Sequence, residues 1–233
     1  MRFPGAGRFH GKWDSDAGRK YETQDTIQNS ECPCNNEIIK YRVMIKWLTM
    51  KIEYPEIGIC GLSCRLCPHY HTEGESKCGG CKTESRICVG CPFITCALKK
   101  KGIEFCWDCE ENETCEKWMK HREAGKKVDS FKCYQKLEDD IAFIQKNGVD
   151  EFEKTQKIRE YLLKEMLQEF NEGRSKSYYC IAATVLEGEE LKVALTKARK
   201  DSNGLEIKGK SKVLHSVLDE IAERKNYWLK LRK

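Results

Sequence analysis

From residue 128 onward, apolar side chains recur every three or four positions, the spacing of amphipathic helices. Phe131, Tyr134, Leu137, Ile141 and Ile144 make one such face, with Asp129-Ser130 placed to cap its start and Asn147-Gly148 to end it. Asp150 is placed to cap a second helix with Ile158, Leu162, Met166 and Phe170 in line, closed by Asn171-Glu172-Gly173. A third apolar stretch runs from Tyr178 to Leu186 after Ser175 and Ser177. It is interrupted at Gly188 and continues from Glu189 to Lys200. After a loop at Asp201-Ser202-Asn203-Gly204, Val213, Leu214, Val217, Leu218, Ile221 and Trp228 define the last helix, followed by a basic tail.

The pattern is different upstream. Residues 57–118 have few aliphatic side chains and no sustained period, and residues 1–49 are rich in Gly, Asp, Asn, Gln and Ser. A segment without enough apolar side chains cannot offset its ordering entropy by burial. Residues 1–49 are therefore expected to be a disordered extension or an over-extended start. A start at Met50 would give MKIEYPEIGICGLSC. Residues 50–122 are expected to need staples in place of a core. The expected fold is α+β but mostly helical: a small cysteine-rich, metal-stapled module of zinc-knuckle or ribbon type with short strands and turns, then a helical domain over 128–233.

Composition sharpens this picture at one point. The chain has 233 residues and 15 cysteines. Eleven of the cysteines fall between residues 57 and 118: Cys60, Cys64, Cys67, Cys78, Cys81, Cys88, Cys91, Cys96, Cys106, Cys109 and Cys115. Four CxxC pairs are among them, Cys64/Cys67, Cys78/Cys81, Cys88/Cys91 and Cys106/Cys109. A CxxC turn lets two thiolates face one ion, and two such turns complete a tetrahedral site, the usual way structural zinc is held. Gly61, Gly79-Gly80 and Gly90 stand beside these cysteines, where tight turns favour glycine. All eleven cysteines are candidate ligands. An odd count does not fill a disulfide framework, and a twelfth ligand for three sites would come from His69, His71 or His121. Cys32 and Cys34 are spaced too tightly for a knuckle and are not counted.

Zinc is the expected cofactor, with an iron–sulfur cluster as the alternative. Cys60-x3-Cys64-x2-Cys67 has the spacing of the radical SAM cluster loop, and Cys67-Pro68 and Cys91-Pro92 resemble ferredoxin Cys-Pro pairs. Leu66 stands where that loop usually has an aromatic, and no repeated strand–helix pattern follows. A redox dithiol is a further rival, although no strand–helix context surrounds any CxxC.

Three stretches carry a resemblance: CGLSCRLCPHY at Cys60 to Tyr70, KCGGC at Lys77 to Cys81, and TCALKKKGIEFCWDC at Thr95 to Cys109. Together they resemble a cysteine-rich prokaryotic family that is a domain of unknown function. Its signature is CGLxCxxCPxY, then CxGC, then CAxxKGxxFCxxC and a final cysteine, here Cys115. The resemblance covers about residues 57–120 and all eleven cysteines. It departs at Thr114-Cys115, where the family often has Pro-Cys. It implies a discrete domain and no activity.

Charge is spread as +2 over residues 1–49, −1 over 50–125 and +4 over 126–233, so no segment has the basic footprint of a nucleic-acid binder. No run of 18 apolar residues is present and no apolar region follows the basic residues of the N-terminus. A cytoplasmic, reducing setting without a membrane partner is expected, in which cysteines more often bind metal than pair. The expected partner is a protein, or a second copy, on the helical domain. Smaller candidates have plainer readings beside them. Lys99-Lys100-Lys101 could contact phosphate or be a solvated face. Trp107 and Trp118 could stack on a ligand or cover the metal module. Arg174 and Lys176 could hold an anion at a helix start whose serines are otherwise caps. Cys133 and Cys180 read as core thiols. No catalytic residue is singled out, and no Ser-His-Asp order or phosphate loop is present.

Overall fold

The computed structural model describes residues 52–74, 77–83, 91–130 and 132–233. Residues 1–51, and with them Cys32, Cys34 and the expected disordered extension, lie outside the described residues, as do Cys88 and Phe131. Seven α-helices follow one another among the described residues: α1 (Pro92–Ile94), α2 (Glu116–Lys127), α3 (Leu137–Asn147), α4 (Val149–Phe170), α5 (Lys176–Val185), α6 (Gly188–Asp201) and α7 (Ile207–Arg224). The chain is mostly helical. No strand forms among the described residues, where short strands were expected. A single antiparallel bridge, Ile57 to Ser63, takes their place.

Helix α4 organises the helical part. Its Leu162, Leu163, Met166 and Phe170 are buried with Tyr179, Ile181 and Leu186 of the α5 region, Leu191 and Leu195 of α6, and Leu214 and Leu218 of α7. Leu162, Met166 and Phe170 lie on the predicted face, but Ile158 is 48% exposed, because α4 turns this position outward beside the bend at Gly188. The same helix buries a polar row. Arg159 donates to the Thr184 carbonyl (3.2 Å) and to Glu187 Oε2 (2.6 Å), and so fixes the joint between α5 and α6. Glu187 caps α6 reciprocally with Glu190.

Three expected helix limits differ. Asp129-Ser130 does not start a helix, and α3 begins only at Leu137. The Asp129 carboxylate is instead occupied by the Tyr134 N–H (2.6 Å) and by the backbone and guanidinium of Arg232. Arg232 also donates to the Gly125 and Lys126 carbonyls at the end of α2, tying the tail of the chain back to the junction. At the other end, α7 stops at Arg224, and Trp228 lies beyond it, 67% exposed. Asp150 lies in the first turn of α4, where its charge suits the helix dipole, and it accepts a bond from the Tyr54 hydroxyl (2.7 Å).

The cysteine-rich segment has more core than its composition suggested. Ile57, Leu62, Phe105, Trp107 and Trp118 are buried with Leu137, Ile141 and Ile144 of α3 and Phe152 of α4. Helix α2 runs across the gap between the two expected segments, so both build one core. Gly61 makes the contact: at φ +91° it turns the loop against Trp107, Leu137 and Ile141, each within 3.3 Å of where a Cβ would stand. A second cluster, Ile59, Ile94, Ala97 and Leu98, lies under α1 and the π-helical turn Thr95–Lys101 that continues it. Pro92 opens α1, a position where its missing N–H is not needed.

Arg65 anchors this segment to α4 through Glu160 (2.8 Å) and Glu153 (3.1 Å), and it also pairs with Glu56 (3.3 Å) of its own segment. Replacing Arg65 with Met should leave these carboxylates facing one another in a half-buried site. The expected destabilisation is about 3 kcal/mol in urea unfolding. A loss under about 0.5 kcal/mol would show that the cluster is solvated and weak.

Candidate metal centre

Two of the three CxxC pairs among the described residues adopt the same turn. Cys64–Leu66 and Cys106–Asp108 are single 3-10 turns. Each is closed by the second cysteine donating to the carbonyl of the first, at 3.0 Å for Cys67 to Cys64 and 3.3 Å for Cys109 to Cys106. Both turns are held against one short loop: Cys64 N–H donates to the Glu56 carbonyl (2.6 Å) and Cys106 N–H to the Ile59 carbonyl (3.1 Å). Cys78 is placed by a bond from its N–H to the His69 carbonyl (2.9 Å). Gly80, at φ +113°, then brings the Cys81 N–H onto Cys64 Sγ (3.4 Å).

All twelve described cysteines are free thiols. Nine of these sulfurs fall into two neighbourhoods that share Cys60. Lys132 Nζ lies 3.7 Å from Cys64 Sγ and 3.8 Å from Cys81 Sγ, and Cys67 and Cys60 are near enough to act on its charge. Cys60, Cys96, Cys109 and Cys115 are near enough to Cys106 to act on its charge, as Cys91 is to Cys60. Lys101 donates to Cys109 Sγ (3.2 Å) and pairs with Glu111 (2.8 Å), so the last lysine of the Lys99–Lys101 run faces sulfur. As the side chains stand, no three Cys, His, Asp or Glu groups among the described residues gather as a ready ligand set.

Charge within the first neighbourhood is uneven. A hydrogen bond from Cys81, together with the Lys132 ammonium, holds the Cys64 thiol well below its usual range, against the effect of burial. The same bond pushes Cys81 upward, and burial adds to the effect. Burial, with neighbouring sulfurs adding to it, pushes Cys60 up and pushes Cys106 up to about 12. Burial also opposes the charge on Lys132, but the surrounding sulfurs outweigh it and the ammonium keeps its proton.

The other candidates separate. His71 bonds the Arg65 carbonyl through Nε2. His121 lies among Phe93, Trp118 and Tyr134, its Nε2 buried without a partner. Trp107 and Trp118 are core side chains, 8% and 2% exposed. Ser175 precedes α5 without capping it. Its hydroxyl meets Glu172 (2.7 Å) and His215 Nε2 (2.8 Å), while Lys176 reaches Thr72 Oγ1 (3.2 Å). Cys133 and Cys180 are buried, as expected of core thiols. Sequence reasoning missed Lys132, because a lone lysine in a turn carries no periodic or motif signal.

The segment that carries this chemistry has recognisable kin. Residues 56–120 match the family described as "Protein of unknown function (DUF3795)". The match takes in the CGLSCRLCPHY loop, the KCGGC pair and the final Cys115, and it stops before Lys132. No curated protein and no solved structure matches the chain. The matched description names no activity.

Between this segment and α3, α4 and α5 lies a small cavity of about 40 Å³, bordered by Ser63, Cys67, Lys132, Asp140, Gln156 and Cys180. Burial pushes the Asp140 carboxyl from 3.8 up to about 7. The unfolded chain loses this proton at lower pH than the folded chain, so the penalty for ionised Asp140 grows as pH rises from about 4 to about 7 and is complete above that. Asp140→Asn should therefore stabilise the protein at pH 8, by on the order of 2 kcal/mol, and lose that advantage near pH 4. Thermal unfolding at the two pH values checks this; a difference independent of pH would show that folding does not raise the Asp140 carboxyl.

Proposed function

We propose that residues 57–118 form a metal–thiolate module, with zinc held by paired cysteine turns. We further propose that the module is a rigid scaffold through which the helical domain meets a protein partner or a second copy. The observation that carries this reading is the gathering of free sulfurs into two neighbourhoods, each touched by a lysine ammonium. N–H donors aimed at sulfur suit thiolates, and thiolates at CxxC turns are the donor set that zinc prefers. Cys60, Cys64, Cys67 and Cys81 would supply one set, and Cys96, Cys106, Cys109 and Cys115 another. Cys78, Cys91 and Cys88 complete the eleven candidates. Bound there, zinc would supply cross-linking and charge neutralisation, on the order of 10 kcal/mol per structural site.

A second reading, an iron–sulfur or redox dithiol centre, draws on the unequal Cys64–Cys81 pair, in which one sulfur is held as thiolate and the other as its donor. Protein purified without oxygen separates the two. The scaffold reading expects at least one equivalent of zinc by elemental analysis and no visible absorption. A coloured, oxygen-sensitive protein would replace it with the second. Strong chelation should then abolish the near-UV signal of Trp107 and Trp118 while the far-UV signal of α4 to α7 persists. An unchanged near-UV spectrum after complete metal removal would refute structural metal.

A further inference from the structure

Three polar side chains that no described residue answers border the cavity between the cysteine-rich segment and α3, α4 and α5. Gln156 of α4 is 1% exposed, and its amide makes no hydrogen bond to any described residue. Asp140 of α3 is 8% exposed. The charges of Arg159, Lys136, Asp139 and Glu187 act on its carboxyl, but no hydrogen bond from a described residue reaches it. Ser63 Oγ, from the cysteine-rich segment, is buried and likewise unanswered. Buried polar groups are nearly always hydrogen-bonded, so three at one cavity point to a ligand with polar atoms of its own. Leu62, Leu66 and Ile181 add apolar surface to the lining, which water alone would leave wetted. A volume of about 40 Å³ takes about three water-sized groups, the bulk of a very small molecule. Ser177, Ile181 and Leu231 also border the open groove beside α7, so the cavity is reached between α5 and the tail of the chain.

Charge narrows the class of ligand. Arg159 is engaged by the Thr184 carbonyl and Glu187, and Lys132 Nζ lies against the Cys64 and Cys81 sulfurs. An anion would bring a second negative group beside Asp140 with neither cation set aside for it. A primary carboxamide is neutral and carries two N–H donors and an acceptor oxygen. It complements the Gln156 amide, and it gives Asp140 a partner whether or not that carboxyl holds its proton. We propose that this cavity is a binding site for a small, neutral primary carboxamide, with the amide head on Gln156, Asp140 and Ser63 and a short apolar end toward Ile181 and Leu231. The site is independent of any metal at the cysteines. It joins the two parts of the chain, since Ser63 lies within the DUF3795 match and Asp140 and Gln156 lie outside it.

The test titrates acetamide, propionamide, acetate and N,N-dimethylacetamide into the full-length, isotope-labelled protein. Binding is read by NMR from the backbone amides of Leu62, Asp140 and Ile181. Acetamide should shift these resonances saturably. Propionamide should bind about fourfold tighter for its added methylene. Acetate, which is charged, and N,N-dimethylacetamide, which has no donor, should give no saturable shift. Gln156→Leu should abolish saturable acetamide binding with the far-UV dichroism of the wild type, and Ser63→Ala should weaken it about fivefold. Asp140→Asn, which keeps a hydrogen-bonding group at the site, should bind near the wild type. Should Gln156→Leu fold poorly, Ser63→Ala still carries the comparison. Shifts that only grow in proportion to acetamide would overturn the proposal. So would acetate saturating as acetamide does, or folded Gln156→Leu or Ser63→Ala binding acetamide like the wild type. A crystal structure grown with propionamide in which the cavity holds ordered water only would overturn it as well.

Discussion

Apolar burial shared across the α2–α3 junction is the constraint on which the rest depends. The cysteine-rich segment offers Ile57, Leu62, Phe105, Trp107 and Trp118, too few side chains to enclose a core alone. Leu137, Ile141, Ile144 and Phe152 provide the opposite wall, and Gly61 lets the loop approach closely enough to use it. This docking puts the Cys64 turn against α4 and the Cys106 turn against the same loop. The backbone beneath the Cys64 and Cys106 sulfurs is held by this packing.

Charges follow the same seam. Arg65 reaches Glu153 and Glu160 on α4, Lys82 is wholly buried over Phe105 against Glu104, and Arg232 returns from the tail to Asp129. Each is a cation withdrawn from water and answered by a carboxylate, which confers register more than net stability. Lys132 differs in being answered by sulfur. That contrast gives the thiol neighbourhood its meaning: at the other buried cations the chain provides a carboxylate, and here it provides cysteines.

The helical part was legible because its periodicity is long and its punctuation is local: Asn147-Gly148, Asn171-Glu172-Gly173 and the break near Gly188 all mark real helix limits. The misplaced start at Asp129 had a capping residue in the right place, but a tertiary partner, Arg232, occupied it from more than a hundred residues away. Trp228 continued the apolar spacing of α7 without continuing its hydrogen bonds. In the cysteine-rich segment the donors could be counted from spacing alone. Their grouping could not, since Cys60 stands between both neighbourhoods and the decisive cation comes from outside the motif. The low aliphatic content of that segment suggested staples in place of a core, because composition within a segment says nothing about walls supplied from beyond it.

The Ser175 cluster shows why proximity of familiar side chains is weaker than arrangement. Ser175, His215 and Glu172 lie within hydrogen-bonding distance, as a nucleophile, a base and an acid would. In a working relay the carboxylate orients the far nitrogen of the imidazole, leaving the serine proton to the near one. Here Glu172 accepts from the Ser175 and Ser211 hydroxyls, and the His215 ring is stacked on Tyr178 with centroids 3.9 Å apart. Ser175 itself is 3% exposed. Tyr179 adds its hydroxyl to Ser211 and to the Phe170 carbonyl. The network thus satisfies the polar ends of α4, α5 and α7 where they meet, and it holds in register the helices whose α4 face receives the cysteine-rich segment.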